Sequence, residues 1–296
     1  KYFLPIFIEK GLYTIPEFLE KRYNSQVKSI LAVFWVVLFI FVNLTSVLYL
    51  GATALDTIIG TGDGSTVIYS IMGLALFTAA YSLWGGLSSV AWTDVIQVVL
   101  LVAGGLVTTF FALSEVSPDN TIIGGLNYIY EKVPEKFDMI LDSSHPEYAN
   151  LPGIAVLIGG MWIANIYYWG FNQYIIQRTF AAKSLKEAQK GIVFAALLKM
   201  IIPLIVVIPG IIAFVMYTDS PQVAADFTGN NGEIMNDKAF PWLISNYVPS
   251  GVKGLVLAAL AAAIVSSLAS MLNSTSTIFT MDIYKPLINN KASEKR

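Results

Sequence analysis

The 296 residues include no cysteine, which excludes disulfides, thiolate metal centres and a cysteine nucleophile. There is one histidine, His145, and it sits beside Pro146 in a polar stretch. No Ser–His pair or multi-histidine metal site can be built from it, so an enzyme is not expected. Charge is also scarce. Asp, Glu, Lys and Arg make up 13% of the chain, against about a quarter in soluble domains. The balance of 18 basic and 20 acidic residues offers no attraction to nucleic acid. A signal peptide is lacking as well: the opening Lys1-Tyr2-Phe3-Leu4-Pro5 has no basic start, apolar run or cleavage site. It begins abruptly, and a lysine-rich stretch ends it, so the sequence reads as a piece of a longer protein.

What the chain does have is apolar length. It is 55% hydrophobic with a mean hydropathy of +0.64. A spanning helix needs about 20 mostly apolar residues, and six segments qualify: 30–54, 66–83, 87–113, 153–177, 191–217 and 254–281. The expected fold is therefore all-α, a polytopic membrane protein whose surroundings are the lipid bilayer. Lysine and arginine gather at the start, in the loop holding Arg178, Lys183, Lys186 and Lys190, and in the tail. By the positive-inside rule these lie in the cytoplasm. Both ends then face inward, as does the turn Trp84-Gly85-Gly86, and the loops near 56–65, 116–152 and 218–250 face outward. Segments 127–136 and 237–247 read as short amphipathic helices at the interface. Tyr13–Tyr23 reads as a cytoplasmic helix, with Thr14 as N-cap, Pro16 in the first turn and Glu17 closing a capping box.

Asp94 and Lys199 are the two ionisable residues read inside spans, where each costs roughly 2.5 to 3.5 kcal/mol or more. At about 1.5 Å per residue, Lys199 lies roughly 13 Å deep. Asn165, Ser266 and Ser267 fall near the same level, and Asp94 lies closer to the cytoplasmic mouth. Plainer roles are open to each. Lys199 can snorkel or pair structurally with Asp94. The serines can bond carbonyls four residues back, and the alanine-rich 258–263 suits close helix packing. Trp162-Ile163-Ala164-Asn165-Ile166-Tyr167-Tyr168-Trp169-Gly170-Phe171-Asn172-Gln173 makes a poor continuous helix. Non-helical backbone at this depth survives where it lines a cavity or is buried in protein, and broken helices build the substrate sites of secondary transporters. Aromatic faces suit the C–H face of a sugar, and an asparagine amide suits its hydroxyls. An ordinary aromatic core helix is the other reading.

The run from Tyr167 to Arg178 resembles the sugar branch (sodium/glucose cotransporters) of the sodium/solute symporter family. Thr14-Ile15-Pro16-Glu17-Phe18, Tyr81 to Ser88, Trp92-Thr93-Asp94 and Ala261 to Ser276 share the resemblance. It implies an inverted-repeat, LeuT-like transporter core, with 1–296 as one partial transmembrane domain carrying core helices three to eight. It implies sodium-coupled symport of a galactose- or glucose-type monosaccharide through the inner cell membrane. Asn165 and Lys199 would bond sugar hydroxyls, and Tyr168 would stack on the ring as a gate flanked by Tyr167 and Trp169. Sodium would be held by the Ala263 carbonyl and the Ser266 and Ser267 hydroxyls, with Asp94 on its exit path. A same-fold symporter for myo-inositol or an organic acid, or a channel or sensor reusing the fold, are the alternatives.

Overall fold

Backbone amides in hydrocarbon find no water, so a chain this apolar pairs them inside helices. A computed structural model describes residues 2–60, 64–149, 153–229 and 231–291. Helix is nearly all of it, with one isolated antiparallel bridge between Thr228 and Ile234. The expectations resting on Lys1, Lys295, Arg296 and positions 61–63 lie outside the described residues.

Two short helices open the chain, α1 (Phe3–Glu9) and α2 (Ile15–Arg22). The first was not anticipated. Thr14 caps α2 as expected, its hydroxyl accepting from the Glu17 N–H at 3.2 Å. The returning bond differs from a strict capping box, because the Glu17 carboxylate accepts from the Tyr13 N–H (3.0 Å). The first span, α3 (Ser25–Ile59), starts earlier than its apolar run because Asn24 caps it, accepting from the Val27 N–H at 2.9 Å. A π-helical stretch, Phe39–Leu44, lies inside it.

Helical backbone then runs unbroken from Val67 to Val116. The Tyr81 and Thr93 hydroxyls are nevertheless in contact. Twelve residues of straight helix span about 18 Å, so the chain doubles back between them, where the Gly85-Gly86 pair lies. The two arms are α4 (Val67–Gly85) and α5 (Val90–Val116), each long and apolar enough to span. Both amphipathic outer segments are helical, α6 (Ile122–Lys132) here and a second one further on.

The fourth segment is broken more than once. It consists of α7 (Ile154–Ile158), α8 (Gly160–Ile166), a π-turn at Tyr167–Phe171, and α9 (Gln173–Phe180). Extended backbone at Asn172 (φ −84°, ψ 112°) stops the π-turn, and its side chain then caps α9 by accepting from the Tyr174 N–H. The fifth segment is one span, Leu185–Asp219, as expected, with a local turn inside it. α10 (Leu185–Lys199) ends at Met200–Ile201, and α11 (Ile202–Asp219) follows. Pro203 stands four residues after Lys199, has no N–H for the Lys199 carbonyl, and crowds it. After α12 (Ala239–Tyr247), the second outer helix, comes α13 (Ser250–Ile288), whose last ten residues are π-helical. Five helices thus reach spanning length among the described residues, or six if the fourth segment's pieces count as one span.

α13 is the axis of the bundle and packs most extensively on the α4–α5 pair and on α3. Lipid tails are as apolar as leucine, so close van der Waals approach holds such helices together. A Cβ on Gly51 of α3 would lie 2.8 Å from Ile264 of α13, and one on Gly105 of α5 would lie 2.8 Å from Ile205 of α11. At the end expected to face outward, α6, α11 and α12 close over a cluster centred on Ile129, Ile212 and Leu243. Away from that cluster, Gln173 clasps the chain before α2. Its Oε1 accepts from the Ile15 N–H and its Nε2 donates to the Tyr13 carbonyl, both at 2.9 Å.

Candidate functional site

Four helices line a cavity of about 500 Å³, α10 through Phe194 alone. α5 contributes Asp94, α9 contributes Tyr174 and Arg178, and α13 contributes Ala263, Ser266, Ser267 and Ser270. Asp94 is the hub. Its Oδ2 pairs with Arg178 Nη2 at 2.5 Å, and its Oδ1 accepts from the Ser266 hydroxyl. Arg178 also donates to Ser270 Oγ. The adjacent serines therefore divide. Ser266 turns to the carboxylate, while Ser267 donates to the Ala263 carbonyl at 3.0 Å, the local bond expected of a plain membrane serine. A Ser267 hydroxyl so engaged keeps lone pairs free on the cavity side.

Asp94 and Lys199 do not form the ion pair weighed from sequence, since Asp94 is taken by Arg178. Lys199 instead places Nζ 4.2 Å from the Tyr168 ring centroid and 5.0 Å from that of Trp169. Those two rings stand 5.5 Å apart at 81° and form a corner. Tyr167 is turned away, stacked on Trp35 of α3 at 5.4 Å and 4°. Asn165 is exposed, and its amide donates to the Met161 carbonyl (2.9 Å), leaving its oxygen available. The breaks after Lys199 and at Asn172 thus bring the lysine to two of the three aromatic residues singled out in the sequence.

Four residues escaped the sequence reading as contributors. Arg178 was counted as a loop charge, although its helix carries it back to Asp94. Ser270 and Ser274 follow Ser266 at spacings of four, which places all three on one helix face. Ser274 donates to Gln177 Oε1 of α9 at 2.9 Å. Asp282, just past the expected end of the last span, is 1% exposed, whereas Asp94 is only partly buried and Lys199 is exposed. It accepts from Thr14 Oγ1 at 3.0 Å and lies 3.6 Å from Lys28 Nζ, which also pairs with Glu20. Among the described residues no group of three or more His, Cys, Asp or Glu could hold a metal. The donors around the cavity are hydroxyl, carbonyl and carboxylate oxygens, suited to a hard cation.

Broken helices meeting beside a cavity that carries oxygen donors point, among polytopic membrane proteins, to the class of secondary transporters. The particular family follows from comparison: the model of the sodium:solute symporter family matches residues 1–296, and the chain belongs to that family. It is 61% identical over its whole length to the sodium/glucose cotransporter of Vibrio parahaemolyticus, covering 54% of that protein. It is 33% identical to the sodium/myo-inositol cotransporter 2 of Bos taurus, with 99% of this chain and 44% of that protein aligned. The chain thus spans about half the length of the curated relatives it matches. A solved structure, the substrate-bound outward-open state of a sodium-coupled sialic acid symporter, superposes with a TM-score of 0.75 at 28% identity. That match covers 97% of this chain and 57% of the other. The family is one of symporters, and its fold is the all-α transporter core expected from the resemblance.

Proposed function

We propose that this chain carries much of the solute and ion machinery of a sodium-coupled symporter that brings a galactose- or glucose-type monosaccharide into the cell. The observation that carries the reading is the convergence of oxygen donors from α5 and α13 on one cavity, next to a broken helix bearing an aromatic–lysine corner. In this reading residues 1–296 are one transmembrane domain holding core helices three to eight. It sits in the inner membrane with both ends cytoplasmic.

Sodium is held by the Ala263 carbonyl and the Ser266 and Ser267 hydroxyls, with further oxygens supplied from outside these helices. The sugar stacks on Tyr168 and takes hydrogen bonds from Lys199 and Asn165, while Trp169 flanks the gate and Tyr167, the other flanking residue the resemblance implies, anchors the turn on Trp35. Alternating access then works by exchange of contacts. Sodium favours the outward-open arrangement, occlusion follows sugar binding, and loss of sodium past Asp94 to the cytoplasm loosens the sugar. A membrane potential of 100 mV contributes about 2.3 kcal/mol per charge moved.

The resemblance to sodium/myo-inositol cotransporters favours one second reading, a cyclic polyol as the solute. The test is uptake by the intact protein in proteoliposomes. Saturable galactose or glucose accumulation that requires an inward sodium gradient supports the proposal. Accumulation of myo-inositol in preference to either hexose selects the second reading. Sodium flux that needs no solute points to a channel and overturns both.

A further inference from the structure

We propose that the Tyr168–Trp169 corner is a cation-accepting site which Lys199 fills from within in the solute-free state, so that Lys199 sets the charge class of solute the corner admits. The proposal rests on the reading of Tyr168 as the stacking face for the solute and adds to it. The ammonium lies within cation–π range of both rings, which is about 6 Å. The rings meet at 81°, so two electron-rich faces address one point. No carboxylate among the described residues forms a salt bridge with Lys199, and the acid proposed as its partner belongs to Arg178. Among the described residues, the two aromatic faces are what meets the charge, on an otherwise exposed side chain.

Local structure explains why the ammonium is there. Pro203 ends α10 at Lys199 and deprives the Lys199 carbonyl of its helical partner. The residue is left at a helix C-terminus, where a positive side chain is favoured. The π-turn on the facing segment swings Tyr167 towards Trp35 and leaves Tyr168 and Trp169 to form the corner.

A site already holding a tethered cation repels a second one. A neutral polyol can enter, because its hydroxyl oxygens accept hydrogen bonds from the ammonium as the ring slides over Tyr168. An ammonium-bearing solute has no such exchange to offer. With Lys199 removed, the same corner becomes a free receptor for small organic cations.

The test uses tetramethylammonium chloride as probe, titrated into the intact protein in lipid nanodiscs without sodium or sugar. Ionic strength is held with potassium chloride, and binding is followed by calorimetry. Lys199→Ala is expected to bind the probe about two- to fivefold tighter than the wild type, the scale of one exposed cation–π contact. Adding Trp169→Leu should abolish that gain, and Lys199→Arg should remain closed to the probe. If Lys199→Ala does not fold, Lys199→Gln, uncharged and of similar length, is judged by the same criterion. Equal affinity in wild type and uncharged variants, or a gain that survives Trp169→Leu, overturns the proposal. Because neither sugar nor sodium is present, a failed symport assay leaves this outcome readable on its own.

Discussion

The serine pair of α13 offers the sharpest test of where sodium sits, because the structure gives the two neighbours different work. Ser267 Oγ spends its proton on the Ala263 carbonyl within its own helix. Its replacement by alanine loses a local bond of little net value and gains helix propensity of about 0.5 kcal/mol. Folding stability should therefore hold or rise slightly. A sodium ion on the cavity side would lose one oxygen ligand, worth about 1–2 kcal/mol on the scale of a polar contact to a charge. At 1.4 kcal/mol per decade, the sodium concentration for half-maximal uptake should rise about five- to thirtyfold. Ser266→Ala removes instead a hydroxyl bonded to the Asp94 carboxylate. That is a charged hydrogen bond of about 1.5–3 kcal/mol, so its thermal midpoint should fall as well as its sodium affinity. The assay is sodium-dependent sugar uptake by each alanine variant of the intact protein in proteoliposomes, beside thermal unfolding in detergent. At saturating sodium, sugar affinity should largely recover in Ser267→Ala. Wild-type sodium dependence in both variants would remove the ion from this helix.

Four further outcomes follow from named contacts. Lys199→Ala should weaken sugar affinity within the 1.5–3 kcal/mol of a charged hydrogen bond, nearer the lower end because no ammonium must leave the corner; sodium affinity measured without sugar should stay constant, and a parallel loss of both would contradict the assignment. Tyr168→Phe should retain stacking and transport, whereas Tyr168→Ala should abolish accumulation; undiminished uptake by the alanine variant returns this ring to packing. Thr14 is wholly buried, caps α2 and donates to Asp282, so Thr14→Ala should cost roughly 2–4 kcal/mol from a cap and a charged bond together, with Thr14→Ser restoring most of the thermal midpoint; equal midpoints for both would refute the clasp. Pro203→Ala supplies the missing N–H to Lys199; because Pro203 stands in the first turn of α11, where proline is tolerated, the midpoint should change little while sugar affinity drops, and an unchanged affinity would separate the break from the site.

Five of the six spans were legible as long helices because hydrocarbon demands length and apolarity; the fourth counts as a span only when its bent pieces are taken together. The interruption around Gly170 was legible in part, since amides and a glycine among aromatics make a poor continuous helix, although an ordinary aromatic core helix was the other reading. The interruption after Lys199 was not read, though its cause is four residues away. An apolar window passes straight over Pro203, as proline is apolar and a membrane helix tolerates it. Pairing was the weakest point. Sequence places Asp94 and Lys199 as the buried charges, and opposite signs invite a pair. Register between helices decides neighbours, and it turns Arg178 to Asp94 and Lys199 to Tyr168. Asp282 was lost for a simpler reason: the helix continues as π-helix past the last apolar residues and takes a carboxylate inside with it.

The placement of the breaks bears on how ion and solute can sense one another. Tyr168 and Trp169 lie just before Asn172, and Tyr174 and Arg178 lie just after it, so one interrupted segment serves both the corner and the cavity. Downstream, Arg178 ties that segment to Asp94 of α5 and Ser270 of α13. Upstream, the π-turn is held by Tyr167 on Trp35 and by Lys199 against the two rings. A cation bound near Ser266 and Asp94 repels the Arg178 guanidinium and loosens the downstream anchor. A solute on Tyr168 draws Lys199 away and loosens the upstream one. Asn172, with its extended backbone, is the joint across which either change can pass. Coupling on the proposed function therefore needs no long relay. Two cations of the chain itself, each displaced by one of the two cargoes, hold opposite sides of a single hinge.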